Sequence, residues 1–138
     1  MKNRRWLIYS FLALMCIFFT VFMLFVRSSI THESSVSFMS DSGDYRLDSV
    51  RVAPPFTFRS YAYLRLTEVQ HPARVYRSPL MDADSLEMVG FETPNEVGVA
   101  WLTFYKSEHR FRVTIPQWTE NWLNIFISNT PYEASSDD

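Results

Sequence analysis

From Trp6 to Val26 the chain runs 21 residues without a charged side chain. As an α-helix, that run measures about 31 Å at ~1.5 Å per residue, close to the ~30 Å depth of a bilayer's hydrocarbon core. Its polar members are Ser10, Thr20 and Tyr9. Ser and Thr hydroxyls bond back to the preceding helical turn, so they cost little in lipid. Trp6 and Tyr9 stand near one end, where amphipathic rings suit the headgroup zone, and Arg27 closes the other. The pattern predicts a transmembrane helix over residues 6–26. It exceeds the ~7–15 residues of a signal-peptide core. Phe25-Val26-Arg27 is not a small-x-small cleavage site, and Met15 before Cys16 is not the small residue that lipoprotein processing needs. The helix therefore reads as an uncleaved signal anchor.

Beyond the helix the pattern changes to period two. Residues 27–43 are rich in Ser and Thr and read as a tether, with a short strand at Val36–Met39 and a turn at Asp41-Ser42-Gly43-Asp44. Residues 44–130 read as the folded domain. Its strongest strand is Phe58–Val69: Phe58, Ala62, Leu64 and Leu66 fall on one face, and Arg59, Tyr61, Tyr63, Arg65 and Thr67 on the other. Tyr45–Ala53 is also strand-like. Its apolar parity switches between Leu47 and Val50, which predicts a bulge near Ser49. Pro54-Pro55 ends that strand, and His71-Pro72 ends the longer one.

Arg74–Arg77 is a short extended piece, Leu80–Ser85 a turn or single helical turn, and Leu86–Glu92 a further strand. After the loop Thr93-Pro94-Asn95, Val97–Tyr105 is apolar on both faces and reads as one central strand. Lys106–His109 turns the chain, and Arg110–Ile115 returns with Phe111, Val113 and Ile115 inward. Past Pro116, the residues Trp118, Trp122, Ile125 and Phe126 recur at i, i+4, i+7 and i+8, which predicts a short helix packed on the core. Leu123, Ile125 and Ile127 at period two leave a strand open. Residues 131–138 are small and acidic and read as a disordered tail. About six strands with a short C-terminal helix predict a small mainly-β domain, a sandwich or an open barrel. An α+β layout is the alternative.

Charge sets the orientation. Lys2, Arg4 and Arg5 precede the apolar run with no acid among them. The ten remaining basic residues face fifteen acidic ones after it. The positive-inside bias keeps residues 1–5 in the cytoplasm and exports the domain. The exported part is mildly acidic and carries no basic nucleic-acid footprint. The only cysteine, Cys16, lies in the apolar run, and no Asn-x-Ser/Thr acceptor occurs. That combination points to a bacterial envelope: a single-pass inner-membrane protein with a periplasmic domain.

Chemistry is scarce. His32, His71 and His109 have no metal-ligand spacing, and no soluble cysteine assists them. Asp82-Ala83-Asp84 opens like a calcium loop, but Glu87 and Thr93 stand where such a loop needs Gly and Glu. No Gly-x-Ser-x-Gly occurs. Arg74, Arg77, Arg110 and Arg112 would form an anion-facing cluster only if their strands were neighbours. The expectation is a non-enzymatic domain without metal or cofactor. The bilayer holds residues 6–26, and an envelope protein is the partner of an accessory, assembly or immunity factor. The contact expected is the outward strand face, Arg59, Tyr61, Tyr63 and Arg65, because Tyr and Arg are enriched at recognition surfaces. The alternative is a small-ligand-binding or sensing module with an aromatic-lined pocket.

Overall fold

The computed structural model describes residues 2–52 and 59–135, and the chain falls into two units, a helix ending at Thr31 and a domain starting at His32. The helix, α1 (Lys2–Thr31), is longer than the charge-free run at both ends. It is long and apolar enough to cross a membrane. Its hydroxyls close on the preceding turn: Thr20 Oγ1 donates to Cys16 O at 2.8 Å, and Thr31 Oγ1 to Arg27 O at 2.9 Å. At ~1.5 Å per residue α1 spans about 45 Å, more than a hydrocarbon core alone takes up.

The expected tether is not one. Residues 27–31 continue α1, and β1 (Val36–Met39) is a hydrogen-bonded strand of the domain. β1 pairs with β2 (Tyr45–Val52), which pairs with β3 (Tyr61–Glu68); β4 (Val75–Arg77) and β5 (Met81–Asp82) lie in succession along the far side of β3. Ser78-Pro79 breaks that outer edge in two, as proline must when it cannot donate to a ladder. A second sheet runs β10 (Tyr132–Ala134), β9 (Arg110–Val113), β8 (Leu102–Tyr105), β7 (Glu96–Val99), β6 (Gly90–Glu92). Every pairing is antiparallel except β10 with β9, which is parallel.

The two sheets share one core. Leu47, Ala62, Leu64, Leu66 and Met81 of the first sheet pack with Val97, Val99, Leu102, Phe104, Phe111 and Val113 of the second. The mainly-β reading holds, as two stacked sheets with one short helix. Inward Phe111 and Val113 and outward Arg112 lie where alternation puts them.

Five local expectations are corrected. No bulge occurs at Ser49, because β2 pairs with β3 without interruption from Tyr45↔Glu68 to Val52↔Tyr61. The parity switch has another cause: Leu47 is buried on the core side, and Val50 and Val52 are buried on the opposite face. Val97–Tyr105 is not one strand but the hairpin β7–β8. Val99 pairs with Leu102 across an Ala100-Trp101 turn in which Trp101 has φ 68°. Only Gly90–Glu92 of the expected Leu86–Glu92 strand is extended and paired. In the C-terminal segment, helix α2 is a single turn (Asn124–Ile127), too short to carry one face from Trp118 to Phe126. Leu123 and Ile127 are buried by it, whereas Trp122 and Phe126 are 55% and 40% exposed. Trp118, outside the helix, does pack on the core, and its Nε1 donates to Leu80 O at 3.0 Å. The expected disordered tail supplies β10: Tyr132–Ala134 pair with Phe111–Val113, and Ser135 N donates to Val113 O. Phe58 and Pro54-Pro55 lie outside the described residues.

One carboxylate fastens the sheets together. Glu92 on β6 accepts from the backbone N–H and hydroxyl of Ser42, in the β1–β2 turn, and from Lys106 Nζ at 2.7 Å, just after β8. Burial alone would raise its pKa; the Lys106 and Ser42 bonds outweigh that and hold it at about 2. A carboxylate depressed in the folded state stabilises above its unfolded pKa and loses that contribution as pH falls through the folded value. Glu92 therefore stabilises fully above pH ~4.5 and loses the effect between there and pH ~2, a contribution of at most about 3 kcal/mol. Glu92→Gln is expected to lower stability at pH 7 and to flatten the acid limb. Thermal melts of both proteins from pH 6 to pH 2 check this, since only the wild type should converge on the variant as pH falls. A second test concerns the β7–β8 hairpin. A Cβ at Gly98 would sit 2.2 Å from the Leu102 carbonyl oxygen, a backbone atom that cannot swing away. Gly98→Ala is expected to cost about 3 kcal/mol, read as a lowered denaturation midpoint.

Candidate functional site

The Tyr/Arg face is built by β3 alternation. Tyr61, Tyr63 and Arg65 point away from the shared core, between inward Ala62, Leu64 and Leu66. The fold uses much of that face for itself. Asp48, directly across from Arg65 on β2, has a side chain 2% exposed. A buried carboxylate needs charge and hydrogen-bond partners. Arg65 Nε and Arg46 Nε both approach Asp48 Oδ2 at 3.3 Å, and the Ser37 hydroxyl of β1 donates to Oδ1. Arg65 also donates from a terminal nitrogen to His32 O at 3.1 Å. Tyr63 is fully buried. Burial raises its hydroxyl pKa, while neighbouring Arg65 and Arg77 pull it down. Arg59 is exposed just before the strand, and Tyr61 is half-buried. These two line a small cleft of about 110 Å³ with Asp82, Ser85 and Trp118. The four expected contact residues are thus split: Tyr63 and Arg65 are engaged inside the domain, and Arg59 and Tyr61 border a polar cleft.

Several other charged residues are also engaged within the domain. Glu68 accepts from the Tyr76 hydroxyl at 2.9 Å and from Arg74 at 3.3 Å. Burial would raise Glu68, but these donors lower it, while burial and the Glu68 bond push Tyr76 to about 12. Glu133 on β10 meets Arg110 at 3.1 Å and Arg112 at 2.8 Å. Arg77 Nε donates to Ile127 O at 2.7 Å. The four arginines considered from the sequence therefore do not share one acceptor: Arg110 and Arg112 meet Glu133, whereas Arg74 and Arg77 serve Glu68 and Ile127 O. His71 lies 3.5 Å from Glu68, and the His109 ring stacks on Tyr76 at 5.4 Å, so neither joins a ligand set. Among the described residues, no group of three or more His, Cys, Asp or Glu is placed to hold a metal.

A different surface emerges where the two sheets meet along β1 and β6. Phe38, Met39, Leu47, Met88 and Phe91 line a groove of about 190 Å³, with Ser40, Asp41 and Gly90 at its margins. Phe38 presses so close to β6 that a Cβ at position 90 would lie 2.4 Å from its ring, which accounts for Gly90. Val36, Met39, Val89 and Phe91 around the groove are all exposed. β1 is an edge strand, and its sequence Val-Ser-Phe-Met has neither charge nor proline. Natural edges are usually blunted by one or the other. Hydrogen bonding fixes which backbone groups face out. Ser40 N donates to Tyr45 O, so 40↔45 is a bonded pair. Antiparallel alternation then makes 38↔47 and 36↔49 bonded and turns the N–H and C=O of Ser37 and Met39 outward. Sequence reasoning passed over this edge because residues 27–43 have little apolar periodicity. The available signal was the uncharged Val36–Met39 run beside the uncharged Met88–Phe91 run. No protein-family model, curated protein or solved structure matches the chain.

Proposed function

We propose that this chain is a membrane-anchored, non-enzymatic interaction protein whose β domain accepts an extended segment of an envelope protein along β1. The observation that carries the reading is the uncharged, apolar-flanked β1 edge with outward N–H and C=O groups at Ser37 and Met39, next to a groove able to take an apolar side chain. Strand addition of this kind draws affinity from the main chain and specificity from alternate side-chain pockets. The pairing of Glu68, Glu92, Glu133 and Asp48 with structural partners supports recognition over catalysis, because a catalytic site needs ionisable groups free to act in a cleft.

The address is part of the proposal. α1 holds the domain at a membrane, and Lys2, Arg4 and Arg5 before the apolar run favour a cytoplasmic N-terminus and an exported domain. The absence of soluble cysteine and of glycosylation acceptors favours a bacterial inner membrane with the domain in the periplasm. A small-ligand reading is weaker. The groove of about 190 Å³ and the cleft of about 110 Å³ both fall below the ~300 Å³ at which ligand pockets begin.

Met39→Pro separates main-chain pairing from side-chain contact. It removes an outward N–H and leaves the bonds to β2 in place, whereas Met39→Ala only trims an exposed side chain. After crosslinking in native membranes, wild type and Met39→Ala are expected to recover the same partner. Met39→Pro should recover about tenfold less, the effect of leaving one partner carbonyl unsatisfied. Equal recovery by both variants, with unchanged melting temperatures, would remove β1 as the contact.

A further inference from the structure

The cleft bordered by Arg59 and Tyr61 is built where three segments meet. Asp82 of β5 pairs directly with Tyr61 of β3, which sets their Cβ atoms about 5 Å apart on one face. Ala83 N donates to Ser60 O at 2.9 Å and fixes that register. The third segment is a turn just past β9. Trp118 N donates to Ile115 O at 3.2 Å across Pro116 and Gln117, and Trp118 Nε1 holds the turn to Leu80 O, beside β5. Proline followed by a residue of positive φ is the pattern of a type II turn. Gln117 fills the second place with φ 57°, where glycine is the residue that fits without strain. Side-chain-bearing residues held in that region cluster at functional sites.

The lining is of two kinds. Met81, Ile115 and Trp118 contribute carbon surface, and Arg59, Tyr61, Asp82, Ser85, Gln117 and Thr119 contribute polar groups. None of these six polar side chains is hydrogen-bonded or ion-paired to a described residue. By contrast, Asp48, Glu68, Glu92 and Glu133 are each met by an arginine or a lysine. Arg59 and Asp82 carry opposite charges into one cleft without pairing with each other. Their signs decide the ligand. A simple anion would meet Arg59 but be opposed by Asp82, and a simple cation the reverse. An uncharged molecule would strip water from both and return no countercharge. A molecule with ammonium and carboxylate close together satisfies both. At ~30 Å³ per liquid water, the cleft of about 110 Å³ has the space of about four waters, which restricts it to a compact ligand.

We infer that this cleft binds a free α-amino acid with a small apolar side chain. The carboxylate meets Arg59, the ammonium meets Asp82, and the side chain lies against Met81, Ile115 and Trp118. The Gln117 amide and the hydroxyls of Tyr61, Ser85 and Thr119 supply neutral hydrogen bonds. This site is independent of the β1 edge and of the membrane address.

Methionine methyl groups report on both surfaces at once, because Met81 lines this cleft and Met39 and Met88 line the groove beside β1. The full chain, with isotope-labelled methionine methyls, is held in detergent micelles and titrated separately with L-alanine and D-alanine while the methyl resonances are followed. The inference expects at least one enantiomer to shift Met81 saturably, with Met39 and Met88 unmoved. N-acetylalanine lacks the ammonium and alaninamide lacks the carboxylate, so both are expected to leave Met81 in place. Arg59→Gln and Asp82→Asn are each expected to weaken alanine binding about tenfold, because each removes one charge-assisted bond. Gln117→Gly suits the turn and is expected to keep the melting temperature while weakening alanine about fivefold. A Met81 resonance that neither enantiomer moves overturns the inference. Equal shifts with N-acetylalanine or alaninamide overturn it as well, and so does a response shared alike by all three methionines.

Discussion

β3 must be covered on both faces, and the rest of the domain follows from that requirement. Its inner residues Ala62, Leu64 and Leu66 and its outer residue Tyr63 are all buried, and it is paired along both edges. A strand so placed gives the domain its order, because neither face can slip by one residue without exposing a buried set. The inner face recruits the second sheet through Phe104, Phe111 and Leu102. On the outer face a charge had to be accommodated, since Asp48 opposes Arg65 there. Asp48 gathers Arg65, Arg46 and Ser37, and in doing so stitches β1 to β2 and β3. The arginine that looked available for a partner is thereby committed to holding three strands in register. Under the proposed function, recognition is left to the periphery, where the ladder ends.

The sequence revealed α1, β3 and the inward residues of β9, because each rests on an unbroken local period. Its failures have physical causes. Val97–Tyr105 contains no Pro, Asn or Asp to mark a turn, and its one glycine lies within a strand, so the hairpin was invisible to turn chemistry. The trace it did leave is parity: inward Val97 and Val99 are odd-numbered and inward Leu102 and Phe104 even, which is how two residues of turn read in an antiparallel pair. The same kind of switch in β2 has no such meaning, because there both faces are buried. Parity alone does not distinguish a turn from a doubly covered strand. The Trp118–Phe126 spacing was helical over a stretch that makes only one turn. The acidic end read as tail because its stabilising partners, Arg110 and Arg112, lie more than twenty residues earlier. Of the candidate surface, the residue types at Arg59–Arg65 were legible, whereas the commitment of Arg65 to Asp48 depended on long-range pairing.

An uncharged sheet edge is a hazard for a freely diffusing protein, because it templates the addition of any passing strand. The proposed confinement at a membrane changes that balance. It limits the partners that can reach the edge and raises the effective concentration of those sharing the surface. Under the proposed function, the edge that would be a liability in solution becomes a selective contact. The groove beside it adds side-chain preference without the volume needed to enclose a small molecule.

The parallel pairing of β10 has a kinetic consequence. β9 already has β8 on one side, and its other side is filled only by residues 132–134, some twenty positions further along the chain. β1, at the opposite end of the sequence, is tied through Ser42 to Glu92 of the second sheet. Each sheet is drawn from one contiguous stretch, residues 36–82 and 90–134, and the slow closures are the return of β10 to β9 and the tie between the sheets. A ribosome delivering this polypeptide from its N-terminus would release the apolar helix well before the last strand emerged. The intervening hundred or so residues would wait with β9 unprotected on that side. Quality control for such a molecule acts at its C-terminal edge, since the loss of a handful of residues there reopens a strand that every earlier stage of synthesis had left bare.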